Sequence, residues 1–343
     1  MKHWDFCIGN PAYQAEQEGQ NEGFAAPVYD KFLDAAYEIA DKVEMIHPAR
    51  FLFNAGSTKK AWNEKMLTDP HLKVLHYEED ASKVFSNTDI KGGIAITYRD
   101  RNADYGAIEV FTKHDIMRGI VKKVQDSLGG KSLADIVFTQ CRFDLPALYN
   151  KYPYLQSVIG SKGKDKRFRN NIFDKVDIFY ADSQHADDIP TLGVVKNKRV
   201  WRFIDHSVVD QSHECLNKWK VLIARANGTG QFGELLSTPV ILKPGEAYTQ
   251  TFIGIGAFNN EAETNCVVQY LKTKFLRAML GVLKVTQDND REVWRLIPLQ
   301  DFTSASDIDW SRSIAEIDQQ LYKKYGLTDE EIQFIETHVK EMN

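Results

Sequence analysis

Cysteine is scarce and scattered. Cys7, Cys141, Cys215 and Cys266 are the whole supply in 343 residues, and no two form a Cys-x-x-Cys pair. That spacing reads as reduced thiols of a cytoplasmic protein rather than a zinc knuckle or a disulfide framework. No apolar run approaches the roughly 18–20 residues a membrane span needs, so no membrane partner is expected. Met1-Lys2-His3-Trp4-Asp5 lacks the basic region followed by an apolar stretch that marks a secretory signal. His185, His206 and His213 lie among acids without helical ligand spacing, so they read as structural or surface residues and no metal is expected. No Ser-His-Asp or Cys-His arrangement stands out for nucleophilic catalysis.

What is present is an ordinary globular composition, 43% hydrophobic and 27% charged, long enough for two domains with cores. The net charge of -5 hides a division. Residues 1–112 carry 12 basic and 18 acidic groups, 113–300 carry 27 and 20, and 301–343 carry 4 and 10. A basic middle between acidic ends suggests where a polyanion would lie.

The most informative stretch is Asp5-Phe6-Cys7-Ile8-Gly9-Asn10-Pro11-Ala12-Tyr13. Trp4 to Ile8 reads as a short strand that ends on glycine and drops into an Asn-Pro turn. Open α/β folds keep their sites outside the carboxyl ends of strands. Asn10 offers a carboxamide oxygen that can accept from an amino group, Pro11 a backbone carbonyl, and Tyr13 a flat ring. Two acceptors and a stacking face suit the exocyclic amine of an extruded nucleobase.

Further along, helical spacing of Val28, Phe32, Leu33, Ala36, Ile39 and Ala40 precedes a strand, Val43 to Ile46. A helix through Trp62, Met66 and Leu67 and a strand from Leu72 to Tyr77 follow. Ile94 to Tyr98 and Ala107 to Phe111 read as neighbouring antiparallel strands. Strand–helix–strand–helix–strand predicts a largely parallel sheet. Residues 14–26 read as a loop just after the turn, either one that folds over a bound ligand or a solvated connection.

Asn10-Pro11-Ala12-Tyr13 resembles motif IV, Asn-Pro-Pro-Tyr or Phe, of the γ-class adenine-N6 DNA methyltransferases of type II (IIG-like) restriction–modification systems, with Ala12 at the second proline. Met45-Ile46-His47-Pro48-Ala49-Arg50-Phe51-Leu52 is similar to that family's Pro-Ser/Ala-Arg-Phe segment. Ser82 to Gly93 is similar to its motif VIII, with Ser86 where proline is usual. Lys284-Val285-Thr286-Gln287, Pro298 to Phe302 and Asp318 to Leu327 resemble its C-terminal region.

The resemblance implies an α/β fold: the second half of a methyltransferase (Rossmann-like) sheet over 1–112, a mixed α+β target-recognition domain over 113–300, and a C-terminal helical hairpin over 301–343. It implies catalytic positions Asn10, Pro11, Tyr13 and Phe85, the two rings sandwiching a flipped adenine while the acceptors hold its amine. It implies S-adenosyl-L-methionine as methyl donor and double-stranded DNA as partner. The family's cofactor loop, motif I, lies roughly 50 or more residues before motif IV, whereas nine residues precede Asn10 here. A protein partner or an N-terminal segment carrying motif I is therefore expected, and the half-sheet should present an apolar edge.

Gly228-Thr229-Gly230-Gln231-Phe232-Gly233 fits G-x-G-x-x-G by letter. No helix is expected after it, so it reads as a flexible turn, or as a glycine-rich hairpin that lets backbone approach DNA, rather than a cofactor loop. Lys162, Lys164, Lys166, Arg167 and Arg169 form the densest basic run, and Lys198, Arg199 and Arg202 surround Trp201; both runs are candidates for DNA contacts. Residues 261–283 read as the longest helix. Ser313 to Tyr325 and, after a Thr328…Glu331 capping box, a last helix to Met342 close the chain. The competing functional readings are a non-catalytic DNA-binding specificity module or decayed fragment, and a nuclease, for which no Pro-Asp…Asp/Glu-x-Lys constellation is present.

Overall fold

In the computed structural model the described residues are 3–15, 26–86, 90–127, 129–160 and 165–342. They divide into two compact units, Met1–Ile120 with Thr229–Phe232 and Gly281–Thr286, and Val121–Gly228 with Gly233–Leu280 and Gln287–Asn343. Of the loop expected at 14–26, residues 16–25 lie outside the described residues.

The first unit begins with β1, Trp4–Gly9. Helix α1, Tyr29–Ile39, buries Leu33, Ala36 and Tyr37 along one stripe and runs without a loop into β2, Ala40–Pro48. Then come α2, Lys60–Thr68, β3, Leu72–Glu78, and β4, Ile94–Asp100. The sheet order is β1-β2-β4-β3. Alternation along β2 sends Val43, Met45 and His47 into a core shared with Leu33, Trp62, Met66 and Ala95, while on the other face Lys42 is exposed and Glu44 half-buried.

Two expectations are corrected here. The sheet is not largely parallel, since β1–β2 is its one parallel pair and β4 runs antiparallel to both β2 and β3. Ala107 to Phe111 is not a strand. Both edges of β4 are already taken, so no ladder is left for it. Glu109 has φ 53°, which breaks extended structure, and its N–H donates to the Leu67 carbonyl at 2.9 Å. Phe111 instead packs edge-on to Phe53 and Tyr77, each at 5.4 Å.

Helix α3, Asp115–Ser127, crosses the division between the units. The second unit continues with β5, Val137–Phe138, α4, Leu145–Lys151, α5, Leu155–Ile159, and α6, Ile172–Lys175. It adds β6, Ile189–Val195, β7, Lys198–Ile204, β8, Trp219–Ala224, β9, Val240–Leu242, β10, Ala247–Tyr248, and β11, Phe252–Phe258. These strands form a three-stranded sheet, β10-β6-β7, and a four-stranded antiparallel one, β5-β11-β8-β9. The architecture is thus mixed α/β with several sheets.

The helix expected over 261–283 is two helices, α7, Glu261–Lys272, and α8, Lys274–Leu283. Thr273 is extended, with φ -63° and ψ 145°. The break leaves the first N–H groups of α8 without helical acceptors. Asp318, on α9, Ile314–Lys324, accepts from Lys274 N and Phe275 N at 2.9 Å each. The last helix, α10, Asp329–His338, carries the expected capping box of Thr328 and Glu331 and ends short of Met342.

Burial raises the Asp318 carboxyl to about 6, against about 3.9 in an unfolded chain. The stability it gives is full below about pH 4 and is lost as pH rises through about 6. Asp318→Asn cannot ionise, so urea unfolding should show wild type losing stability relative to this variant between pH 4 and 6.5. A difference that moves the other way overturns the assignment.

Candidate functional site

Strands β1, β2 and β3 all point the same way, because β1 is parallel to β2 while β2 and β3 are both antiparallel to β4. Their carboxyl ends therefore open on one rim. Asn10-Pro11-Ala12-Tyr13 leaves β1 there, Ala49–Phe53 leaves β2, and Ala81–Lys83 follows β3. This is the edge at which α/β sheets bind ligands.

Tyr13 is fixed by its neighbours in the chain. Its carbonyl accepts from Val28 N at 3.1 Å, and Ala15 N donates to Ala26 O at 2.9 Å, so the segment is tied to the start of α1. Phe85 ends a single helical turn: Asp80 accepts from Ser82 N at 3.1 Å, and Phe85 N donates to Ala81 O at 2.9 Å. The two rings meet, with centroids 6.4 Å apart and planes at 64°. Both are half-buried. The contact is edge to face, so a flat ligand between them requires one ring to turn. The Tyr13 hydroxyl is buried without a hydrogen-bond partner among the described residues, and burial raises its pKa. Asn10 is exposed and Pro11 half-buried.

The rim is braced from below. Gly93 has φ 76°, and a Cβ there would lie 2.4 Å from the Glu78 carbonyl oxygen, so only glycine fits the entry to β4. Arg50 Nε donates to the Lys91 carbonyl, a bracing role for which the sequence carries no local signal. His47 lies beneath, fully buried, with Nε2 2.8 Å from the Thr97 hydroxyl and its ring stacked on Tyr29 at 5.8 Å. Burial lowers its pKa to about 4, so it is neutral at pH 7. Asn87, Thr88 and Asp89 of the motif VIII stretch lie outside the described residues.

The basic candidates divide. Lys162 and Lys164 lie outside the described residues. Lys166 and Arg167 are half-buried, and Arg169 pairs with Asp165 at 2.9 Å. Lys198 is exposed at the start of β7. Arg199 donates to Thr238 O at 2.8 Å and lies over the Phe252 ring at 5.8 Å. Arg202 donates to Trp201 O at 3.4 Å. Elsewhere in the basic middle, Lys220, Arg277 and Lys284 are buried, so the surface excess is smaller than the sequence count. Lys220 donates to the carbonyls of Leu216, Lys218 and Lys243 at 3.1, 3.1 and 3.0 Å.

Residues 1–85 match the family model described as Eco57I restriction-modification methylase. This segment is similar to a restriction–modification methylase. It contains Asn10, Pro11, Tyr13 and, as its last residue, Phe85. The chain is also similar to a solved structure titled "Characterization and crystal structure of the type IIG restriction endonuclease BpuSI", at 11% identity and TM-score 0.32, covering 92% of this chain and 48% of that one. The chain spans about half the length of that structure. No curated protein matches it.

If the Tyr13–Phe85 contact is a real energetic pair, a double-mutant cycle of Tyr13→Ala and Phe85→Ala should give a coupling of about 0.5–1.5 kcal/mol in chemical unfolding. Strict additivity overturns it.

Proposed function

We propose that this chain supplies the target-base site and the DNA-recognition part of an adenine-N6 restriction–modification methyltransferase. The observation that carries the reading is the meeting of Tyr13 and Phe85, 72 positions apart in the chain, on the rim where Asn10 and Pro11 emerge. A base extruded from the duplex loses its stacking and needs aromatic faces in exchange. Turning one ring from its edge contact admits the base between them. Asn10 Oδ1 and the Pro11 carbonyl then accept from the exocyclic amine. The adenine N6 lone pair is delocalised into the ring. Two acceptors draw the amine towards tetrahedral geometry and favour the positive charge that develops as the methyl group arrives. No general base is needed for that step.

The methyl donor implied by the family is S-adenosyl-L-methionine, and the described residues do not fit it. The Gly228–Gly233 segment follows β8 but opens no helix. Its glycines serve packing: a Cβ on Gly230 would lie 2.3 Å from the Val285 carbonyl carbon, and one on Gly233 2.4 Å from the His338 carbonyl oxygen. The donor therefore belongs to a partner or a further segment. Strand β1 supports that reading. Among the described strands it pairs only with β2, and Trp4, Phe6 and Ile8 on one of its faces are 50%, 47% and 70% exposed. An apolar edge strand of this kind is a template for another strand.

Calorimetric titration of S-adenosyl-L-methionine into the 343-residue chain should give no heat, while duplex DNA binding is retained. Micromolar cofactor binding removes the need for a partner, and loss of both activities returns the chain to a decayed fragment. In a complex reconstituted with a cofactor-binding segment, Asn10→Ala should abolish methylation with DNA affinity nearly intact. Retained methylation overturns the role given to Asn10.

A further inference from the structure

The β6–β7 hairpin is held against its core along its length and exposed at its tip. Seven residue pairs join its strands, from Ile189↔Ile204 at the base to Val195↔Lys198 at the tip. The base is anchored, with Ile189, Leu192 and Ile204 buried and Phe173 filling the space over Gly193, where a Cβ would lie 2.3 Å from its ring. The tip is a two-residue turn of Lys196 and Asn197, both left-handed at φ 48° and 61°. Paired positive φ values are the type I′ pattern, whose twist matches the flanking strands and makes the turn rigid. Residues 196–199 are all exposed. Residues 189–204 hold four basic side chains and no acidic one. Strand β7 is the outer strand of its sheet, with Trp201 38% exposed.

These groups differ in what they are free to do. Arg199 is committed to Thr238 and Phe252, so it holds the hairpin rather than a ligand. Lys196, Asn197 and Lys198 project from the turn. A two-stranded ribbon fits the roughly 12 Å major groove of B-form DNA, and an asparagine carboxamide matches the N6 and N7 edge of adenine. Two lysines beside it provide phosphate contacts that fix register without reading sequence.

We propose that the β6–β7 hairpin enters the major groove of duplex DNA, with Asn197 reading a base edge and Lys196 and Lys198 engaging flanking phosphates. This rests on the reading of the chain as a DNA-recognition part, and it names the element and the residue that would recognise sequence.

The test begins with the intact chain and a pool of random-sequence duplexes, from which a preferred site is selected. Asn197→Gly removes the carboxamide and keeps the positive φ, so the turn survives. It should lower preference for the selected site over single-base variants about 5- to 100-fold at one position, with circular dichroism unchanged. Lys198→Gln should weaken binding to all duplexes alike and reduce the slope of log affinity against log salt by about 1. If the intact chain binds and selects DNA but both variants match it, the hairpin proposal fails and the recognition reading stands; the lysines then only protect an edge strand. If the intact chain binds no duplex, both fall.

Discussion

One ladder carries the rim of the first unit. Strand β1 is held laterally by β2 alone among the described strands, through a parallel register from Trp4↔Ala40 to Gly9↔Met45. That register decides where Asn10 emerges. A slip of one residue would turn the alternate set, Cys7 among it, from the helix-covered face to the open one. Tyr13 inherits its place from this ladder and from its tie to Val28 at the head of α1. Phe85 reaches the same rim by a separate route, through β3 and the turn capped by Asp80. The meeting of the two rings is thus a property of the whole sheet rather than of either segment.

Much of this was legible in the sequence. A strand closing on Gly9-Asn10-Pro11, the helix before β2, and the Thr328…Glu331 box all depend on short-range chemistry that neighbours in the chain dictate. Strand order was less so. The chain names β2, β3 and β4 in succession, but nothing local says that β4 inserts between the other two, and that insertion is what strands Ala107 to Phe111 without a partner. The break at Thr273 is similar. Its cause is Asp318, 44 positions from Lys274, and a contact so remote leaves no trace in helical periodicity.

Charge was the least legible quantity. Counting lysines and arginines treats each as a surface group, yet Lys220 spends its ammonium on three carbonyls inside the second unit. Arg199 and Arg169 are likewise occupied within the fold. Which basic side chains remain exposed is set by the fold, as at the β6–β7 turn. Lys196 and Asn197 stand out through their positive φ, although a Lys-Asn pair between two strand-like runs was the available signal.

The first unit is not continuous in the chain. Its core includes Val285, and it takes in Thr229–Phe232 and Gly281–Thr286 as well as Met1–Ile120. On the ribosome, the segment that bears the rim is therefore finished long before its last core residue exists. At about 5–20 residues per second the interval is about 10–30 s. During that time the sheet must persist without its full core, with Trp4, Phe6 and Ile8 already facing solvent, and the long-range closure comes late in folding. The order of synthesis thus leaves a window in which chaperones, or a partner strand arriving early, act on the first unit before the second has formed.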